Sequence, residues 1–252
     1  MGVVNTEGIV LRYTDYREAD RLVVLLTPEL GKITVSARGA RKPKSRLLAG
    51  AQLFCHADYS LFKLNEAFSM SQVELKEPFY DIRNDINKFA YATYILNLAE
   101  EAASPNEKAH NIYNLVIEAL TFFAYSEINA QDIVHAFEIK LIDILGYRPV
   151  LENCCMCGSS FDNYKIGFSI ADGGLVCENC RPTAFRKRLI SMSTVKTLNH
   201  MLSMDMRRLK VLKVSDMVRS ELEVILPAYL EYVFDKRMKA RKLVEFSNNL
   251  KC

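Results

Sequence analysis

The sequence predicts an α+β protein in which a small all-β block is followed by helices, with a compact cysteine-bearing segment set between two of them. Three observations predict it. Residues 6–75 alternate apolar and polar side chains in short runs without a sustained helical period; residues 79–145 and 192–234 repeat apolar side chains at helical spacing; and two C-x-x-C pairs fall between those helical stretches. At 252 residues, half of them apolar, the chain is long enough to bury the cores of two or three small domains.

In the first block the alternation predicts five strands, at residues 8–13, 21–27, 32–37, 52–62 and 67–75. Pro28 with Gly31, and Asn65 with Glu66, supply the turns between runs. Five antiparallel strands in so short a stretch make a small barrel of the oligonucleotide-binding (OB) type. The run Arg38-Gly39-Ala40-Arg41-Lys42-Pro43-Lys44-Ser45-Arg46 interrupts it. It is too basic to bury, and Gly39 and Pro43 break regular structure, so it reads as a mobile loop. Nearby strands carry Tyr13, Phe54, Tyr59 and Phe62. Cations for phosphates beside rings for stacking is what single-stranded nucleic acid requires. The plainer reading of the same residues is a solvated charged face over barrel aromatics that fill the core. Lys32, Arg38, Arg41, Lys42, Lys44 and Arg46 are the candidate nucleic-acid contacts of the barrel, joined by Arg186, Lys187 and Arg188 farther along the chain.

Beyond Pro78 the period becomes helical. Ile82, Ile86, Phe89, Ala90 and Tyr94 share a face of a first helix that ends at Ser104-Pro105. A second is predicted over residues 107–125 and a third over 130–145, closed by Gly146, and the three are expected to pack as a bundle. Helical spacing resumes at 192–204 and 215–234, where Pro227 either starts a new helix or kinks the one it sits in. Met201, Met204 and Met206 read as core filling. The expected division is therefore a barrel over 1–78, a helical domain over 79–148, a metal-binding module over 149–184, and the second part of the helical domain over 185–252.

The module is defined by Cys154 with Cys157 and Cys177 with Cys180, separated by nineteen residues, which is the spacing of a four-thiolate zinc site. Gly158 follows the first pair where a positive φ is often needed, and Gly173-Gly174 reverses the chain before the second. Cys155 would form only a C-x-C with Cys157 and is read as a non-ligand. With four protein thiolates no position remains for a reactive water, so the zinc is structural and the module a zinc ribbon.

Other chemistry is excluded by what the residues lack. There is no G-x-x-x-x-G-K-[ST] loop; His56, His110, His135 and His200 are scattered; and Glu100-Glu101 do not share a helix face, so no enzyme is expected. No apolar run approaches a membrane span and the first residues lack a basic signal region, which with seven cysteines, an odd number, points to a reducing, cytoplasmic setting. The net charge of +3 hides three blocks: six cations and no acid over residues 30–57, twelve acids against six bases over 76–152, and nine bases against Asp205 alone over 181–213. The acidic helices are expected to offer a protein surface rather than a DNA surface, with Arg186, Lys187 and Arg188, or the bases of residues 236–241, as its cationic rim.

The opening E-G-I-V-L, the run G-K-I-T-V-S-A-R-G-A-R-K, Gly146-x-x-Pro149 ahead of C-C-M-C-G, and G-G-L-V-C-E-N-C together resemble the RecO family of bacterial recombination mediators over essentially the whole chain. The resemblance implies a non-enzymatic DNA-repair protein with an OB-fold domain, a helical domain and an embedded zinc module. It implies binding of single- and double-stranded DNA, annealing of complementary strands, and binding of RecR and of the C-terminal tail of single-stranded DNA-binding protein, so that RecA is loaded. It also implies a cytoplasmic protein associated with the nucleoid when acting. Some relatives lack the cysteines, which implies a structural metal, while Cys155 departs from the pattern and leaves a competing thiol beside the ligands. The residues alone stop at a ribbon, a basic barrel and no catalytic site. They leave open an RNA-binding OB-fold and ribbon protein, and a cryptic zinc hydrolase.

Overall fold

The computed structural model describes residues 2–161, 166–184, 187–238 and 240–249. They form two compact units, Met1–Ser126 with Ala240–Cys252, and Glu127–Lys239.

The first unit is built on strands β1 (Gly2–Tyr16), β2 (Asp20–Thr27), β3 (Gly31–Ala37), β4 (His56–Leu64) and β5 (Ala67–Glu77). They close into a barrel in the order β1-β2-β3-β5-β4, with β3 and β5 parallel and the other pairs antiparallel. Each strand so gains a neighbour on both sides, although β3 and β5 pair only at Val35–Phe68 and Ser36–Ser69. The inward set, among it Val23, Leu25, Val35, Tyr59 and Leu61, is almost wholly removed from water. The fourth strand starts later than the alternation suggested. Residues 52–55 instead turn across the barrel end, with Phe54 at a φ of 66° and bonded to β1 through Phe54 N–H to the Val10 carbonyl (3.3 Å) and Val10 N–H to the Cys55 carbonyl (3.0 Å). Buried Phe54 meets Phe89 edge-on.

Helices α1 (Ile86–Ala102) and α2 (His110–Tyr125) belong to this unit. The first begins later than its apolar pattern because the Asp85 carboxylate accepts from the Asn87 and Lys88 N–H groups and caps it, leaving Tyr80–Asn84 as a separate 3-10 turn. The turn between β2 and β3 lies on the loop between the two helices. Lys32 N–H donates to the Ser104 carbonyl (3.3 Å), Asn106 N–H to Leu30 (3.1 Å) and Ala109 N–H to Pro28 (2.9 Å). Gly31 sits at the centre with a φ of +61°. Arg12 of β1 also reaches Glu100 of α1 at 2.7 Å.

The second unit holds α3 (Ala130–Ile144), a three-stranded sheet in the order β7-β6-β8, α4 (Met192–Ser203), a 3-10 turn at Met206–Val211 and α5 (Asp216–Val233). Its strands are β6 (Ile166–Ser169), β7 (Gly174–Val176) and β8 (Lys187–Ile190). Helix α3 packs against α4 and α5. Arg219 makes two hydrogen bonds to Asp132 (2.8 and 3.0 Å), and the Asp132 carboxylate is only 6% exposed, so losing the guanidinium would cost about 3–5 kcal/mol. Met201, Met204 and Met206 are buried, as core-filling methionines should be, and Pro227 lies inside α5. Within the first unit, a last helix α6 (Arg241–Asn249) packs on α1.

This grouping differs from the division expected along the chain. Helices α1 and α2 share a unit with the barrel because the β2–β3 turn is hydrogen-bonded into their loop, while α3 has its apolar face on α4 and α5. The close approach at Gly31 gives a direct test. A Cβ there would lie 2.3 Å from the Glu107 carbonyl oxygen and 2.4 Å from that of Ser104, on a backbone of positive φ. Gly31→Ala should therefore lower stability by about 2–3 kcal/mol, seen as a drop in denaturation midpoint with the metal content of the ribbon unchanged.

Candidate metal centre and nucleic-acid interface

After α3 the chain turns at Gly146 (φ 83°), and Val150 runs beside Gly174, with Val150 N–H bonded to Gly173 (3.0 Å) and Leu175 N–H to Val150 (2.9 Å). This pairing sets the two cysteine turns side by side. The first is closed by Gly158 N–H to the Cys154 carbonyl (2.8 Å), with Gly158 at a φ of 75°, and the second by Arg181 N–H to the Cys177 carbonyl (2.9 Å). Tyr229 of α5 braces the arrangement: its hydroxyl donates to the Tyr147 carbonyl (2.9 Å) and its ring meets Phe168 of β6 edge-on.

The four sulfurs of Cys154, Cys157, Cys177 and Cys180 all lie within 4.8 Å of one another, with 3.7 Å between Cys157 and Cys177. Thiolates bound about 2.3 Å from one tetrahedral zinc stand about 3.8 Å apart, so the cluster has the dimensions to hold a metal ion. The Cys177 N–H points at the Cys154 sulfur (3.4 Å), the backbone-to-sulfur contact that a thiolate ligand requires. Hydrogen bonding from Ser159, 3.2 Å away, is the main cause that lowers the Cys157 thiol to about 6, while the neighbouring Cys157 and Cys177 sulfurs push Cys180 up to about 12. Among the described residues no histidine or carboxylate joins the group. Cys155 stays out of it: its N–H is bonded to the Leu175 carbonyl, and burial raises its thiol.

The basic segment of residues 38–46 is a chain of turns anchored to the barrel rather than a mobile loop. Ala40 is fully buried, Gly39 N–H donates to Asp20 Oδ1 (2.7 Å), Arg41 N–H donates to the Ala19 carbonyl (2.9 Å), and Ser45 N–H donates to that of Lys42 (2.9 Å). Arg38, Arg41, Lys42, Lys44 and Arg46 remain exposed on this frame. Lys32 does not join them. It lies at the opposite end of β3, about 20 Å along the strand from Arg38, and its ammonium donates to the Glu100 carbonyl. Arg188 is exposed on β8; Lys187 opens that strand, but its side chain, like the whole of Arg186, lies outside the described residues.

The aromatic set also divides. Phe54 and Tyr59 are core, the Tyr59 hydroxyl donating to the Gly50 carbonyl (2.9 Å), whereas Tyr13 and Phe62 are exposed. The β1–β2 hairpin adds residues that the pattern of charge and alternation did not single out. Arg21 stacks 4.0 Å from the Tyr13 ring centre, Arg17 lies 5.2 Å from that of Tyr16, and Asp15 bonds both Arg21 (3.0 Å) and Arg41 (3.4 Å). The alternation of tyrosine and arginine over residues 13–21 was the available signal. At the end of the basic segment, strands β1, β4 and β5 line a groove of about 800 Å³ with Glu7, Asp58, Glu74 and Arg46. Partial burial raises the Glu7 carboxyl, but Lys76 (3.0 Å) and His56 (2.6 Å) more than offset it, so it is held below the ordinary carboxylate range. Three carboxylates against Arg46 make that groove a poor host for phosphates. Among the described residues no helix is long and apolar enough to cross a membrane.

A closed five-stranded barrel with a cationic, aromatic edge in one unit, and helices carrying a four-thiol ribbon in the other, are features in keeping with a nucleic-acid-handling protein. Comparison with known proteins specifies the kind. The chain belongs to the RecO family of DNA-repair proteins: the family model "Recombination protein O N terminal" matches residues 1–79 and "Recombination protein O C terminal" matches residues 83–242. It is similar to the DNA repair protein RecO of Alkaliphilus metalliredigens, at 36% identity over 93% of this chain and 95% of the relative. It is also similar to those of Desulforamulus reducens (32% identity, 99% and 98%) and Symbiobacterium thermophilum (32%, 97% and 98%).

The sulfur geometry predicts a clear ranking of cysteine variants. By elemental analysis, the parent protein and Cys155→Ser should each carry close to one equivalent of metal. Cys177→Ser should carry far less and become protease-sensitive around residues 153–181, since a small module with little core depends on the metal for on the order of 10 kcal/mol of folding energy. Metal loss in Cys155→Ser with retention in Cys154→Ser would reassign the ligands.

Proposed function

We propose that the chain is a recombination mediator that works without catalysis. It binds single- and double-stranded DNA, anneals complementary strands and, with RecR, helps load RecA onto single strands covered by their binding protein, whose C-terminal tail it recognises. The observation that carries this reading is the match of both RecO domain families over nearly the whole chain. The anchored cations of residues 38–46 support it physically. Annealing brings two polyanions together, and a surface of fixed cations beside an exposed ring screens phosphates while leaving bases free to pair. Arg188, with Arg186 and Lys187 beside it in sequence, supplies further cations for DNA or for the acidic end of a partner's tail.

Cys154, Cys157, Cys177 and Cys180 hold a structural zinc in this reading. Bound there, zinc supplies a cross-link between the two turns and no reactive position, because four thiolates complete its coordination. The residues around it orient the ribbon: Gly158 shapes the first turn, Leu175 fixes Cys155 away from the metal, and Tyr229 ties the base of the module to α5.

A strand-annealing assay with complementary oligonucleotides tests the function. The parent protein should accelerate annealing and bind DNA with a steep salt dependence. Arg41→Ala, Lys42→Ala, Lys44→Ala and Arg46→Ala combined should lower the annealing rate, weaken binding to unrelated sequences alike, and flatten the log–log salt slope by up to about 3, at about 0.7 for each phosphate no longer neutralised. A folded quadruple variant with unchanged affinity and slope would move the DNA-binding surface elsewhere. Tighter binding to RNA than to DNA in competition would favour an RNA-handling role instead.

A further inference from the structure

Of the four barrel aromatics near the basic segment, Phe54 and Tyr59 are spent on the core, and Phe62 lies out on β4, where its cross-strand neighbours are Val3 and Ser69. Tyr13 is placed differently. It is 41% exposed, and its ring is backed by the Arg21 guanidinium 4.0 Å from the centroid. Arg21 is itself fixed, by Asp15 (3.0 Å) and by a bond to the Ala51 carbonyl (3.2 Å), so that the ring lies on a rigid cation rather than on a mobile side chain. Asp15 is shared with Arg41 (3.4 Å), whose Nη1 also reaches the Arg17 carbonyl (3.3 Å). Tyr13, Arg21, Asp15 and Arg41 thus form one connected array running from an exposed ring to the cationic segment. The two guanidiniums outweigh the one carboxylate, leaving the array net positive.

We propose that Tyr13, held against Arg21, is a base-stacking platform that makes this edge of the barrel discriminate unpaired from paired DNA. The inference rests on the DNA-binding reading above and adds its specificity-determining residue. A nucleobase with a free face stacks on the exposed side of the ring, while Arg41 and its exposed neighbours meet the adjoining phosphates. In duplex DNA both faces of each base are already covered, so a duplex gains the phosphate contacts but not the stack. Tyr13 contributes to affinity only when bases are unpaired, and its share of the binding is independent of salt because it releases no counterion.

The test compares single strands and duplex of one sequence at fixed salt. Tyr13→Leu should weaken single-strand binding about tenfold with an unchanged salt slope and an unchanged duplex affinity, and Tyr13→Phe should bind like the parent. The intact duplex affinity serves as the check that the leucine variant is folded. The chain contains no tryptophan, so Tyr13→Trp installs a single reporter that keeps an aromatic ring in place. Its emission should be quenched on saturation with a single-stranded oligonucleotide and little changed by the duplex. Equal affinities for parent and Tyr13→Leu, or an unquenched Tyr13→Trp on a bound single strand, would overturn the platform while leaving the mediator reading standing. Failure of the parent protein to bind DNA at all would instead remove that reading.

Discussion

The β2–β3 turn on the α1–α2 loop is the contact on which the first unit depends. Three backbone hydrogen bonds cross it, and Gly31 allows an approach that no side chain would permit. It joins the barrel to the first two helices beside the Phe54–Phe89 ring contact, and Lys32 and Arg12 both turn to Glu100 of α1. The latch therefore also decides electrostatics. It commits Lys32 and Arg12 to Glu100, while the exposed cations of residues 38–46 lie at the other end of the strands.

At that other end, Asp15 does for the hairpin what Gly31 does for the turn. A single exposed carboxylate would weaken the proposed phosphate-binding edge if it stood alone, but here it is shared by Arg21 and Arg41 and fixes both in place. Ordering before binding matters because two long side chains frozen only on contact would each forfeit rotamer entropy. The same logic applies in the ribbon, where the strand pairing at Val150 and Gly174 sets the cysteine turns side by side by backbone alone.

The parts of this architecture that were legible in the sequence are those with a local period or spacing. Alternation located five strands because a barrel must bury one face of each, and the paired cysteines disclosed their cluster because metal ligation fixes residue type and separation together. What stayed hidden depends on tertiary partners. Charge counts could not show that Asp85 caps a helix or that Asp132 is buried with Arg219, so the acidic stretch looked more uniformly exposed than it is. The alternation could not separate Tyr13 from Tyr59, because exposure in a barrel depends on where a strand outruns the closed part. Helix α6 is short and polar on average, so its apolar positions did not stand out along the chain, yet Val244 is buried where the helix packs on α1.

That last helix has a consequence for how the protein is made. Helix α1 emerges from the ribosome early, but α6, which covers part of it, follows only after residues 127–239 have been synthesised. At bacterial translation speeds the interval is roughly ten seconds. Through that interval the nascent barrel unit carries an apolar strip with no cover of its own, a stretch of time in which a chaperone or premature aggregation competes for it. The ribbon-bearing unit, encoded as one continuous stretch, has no such wait. The unit that starts first is the last to be finished.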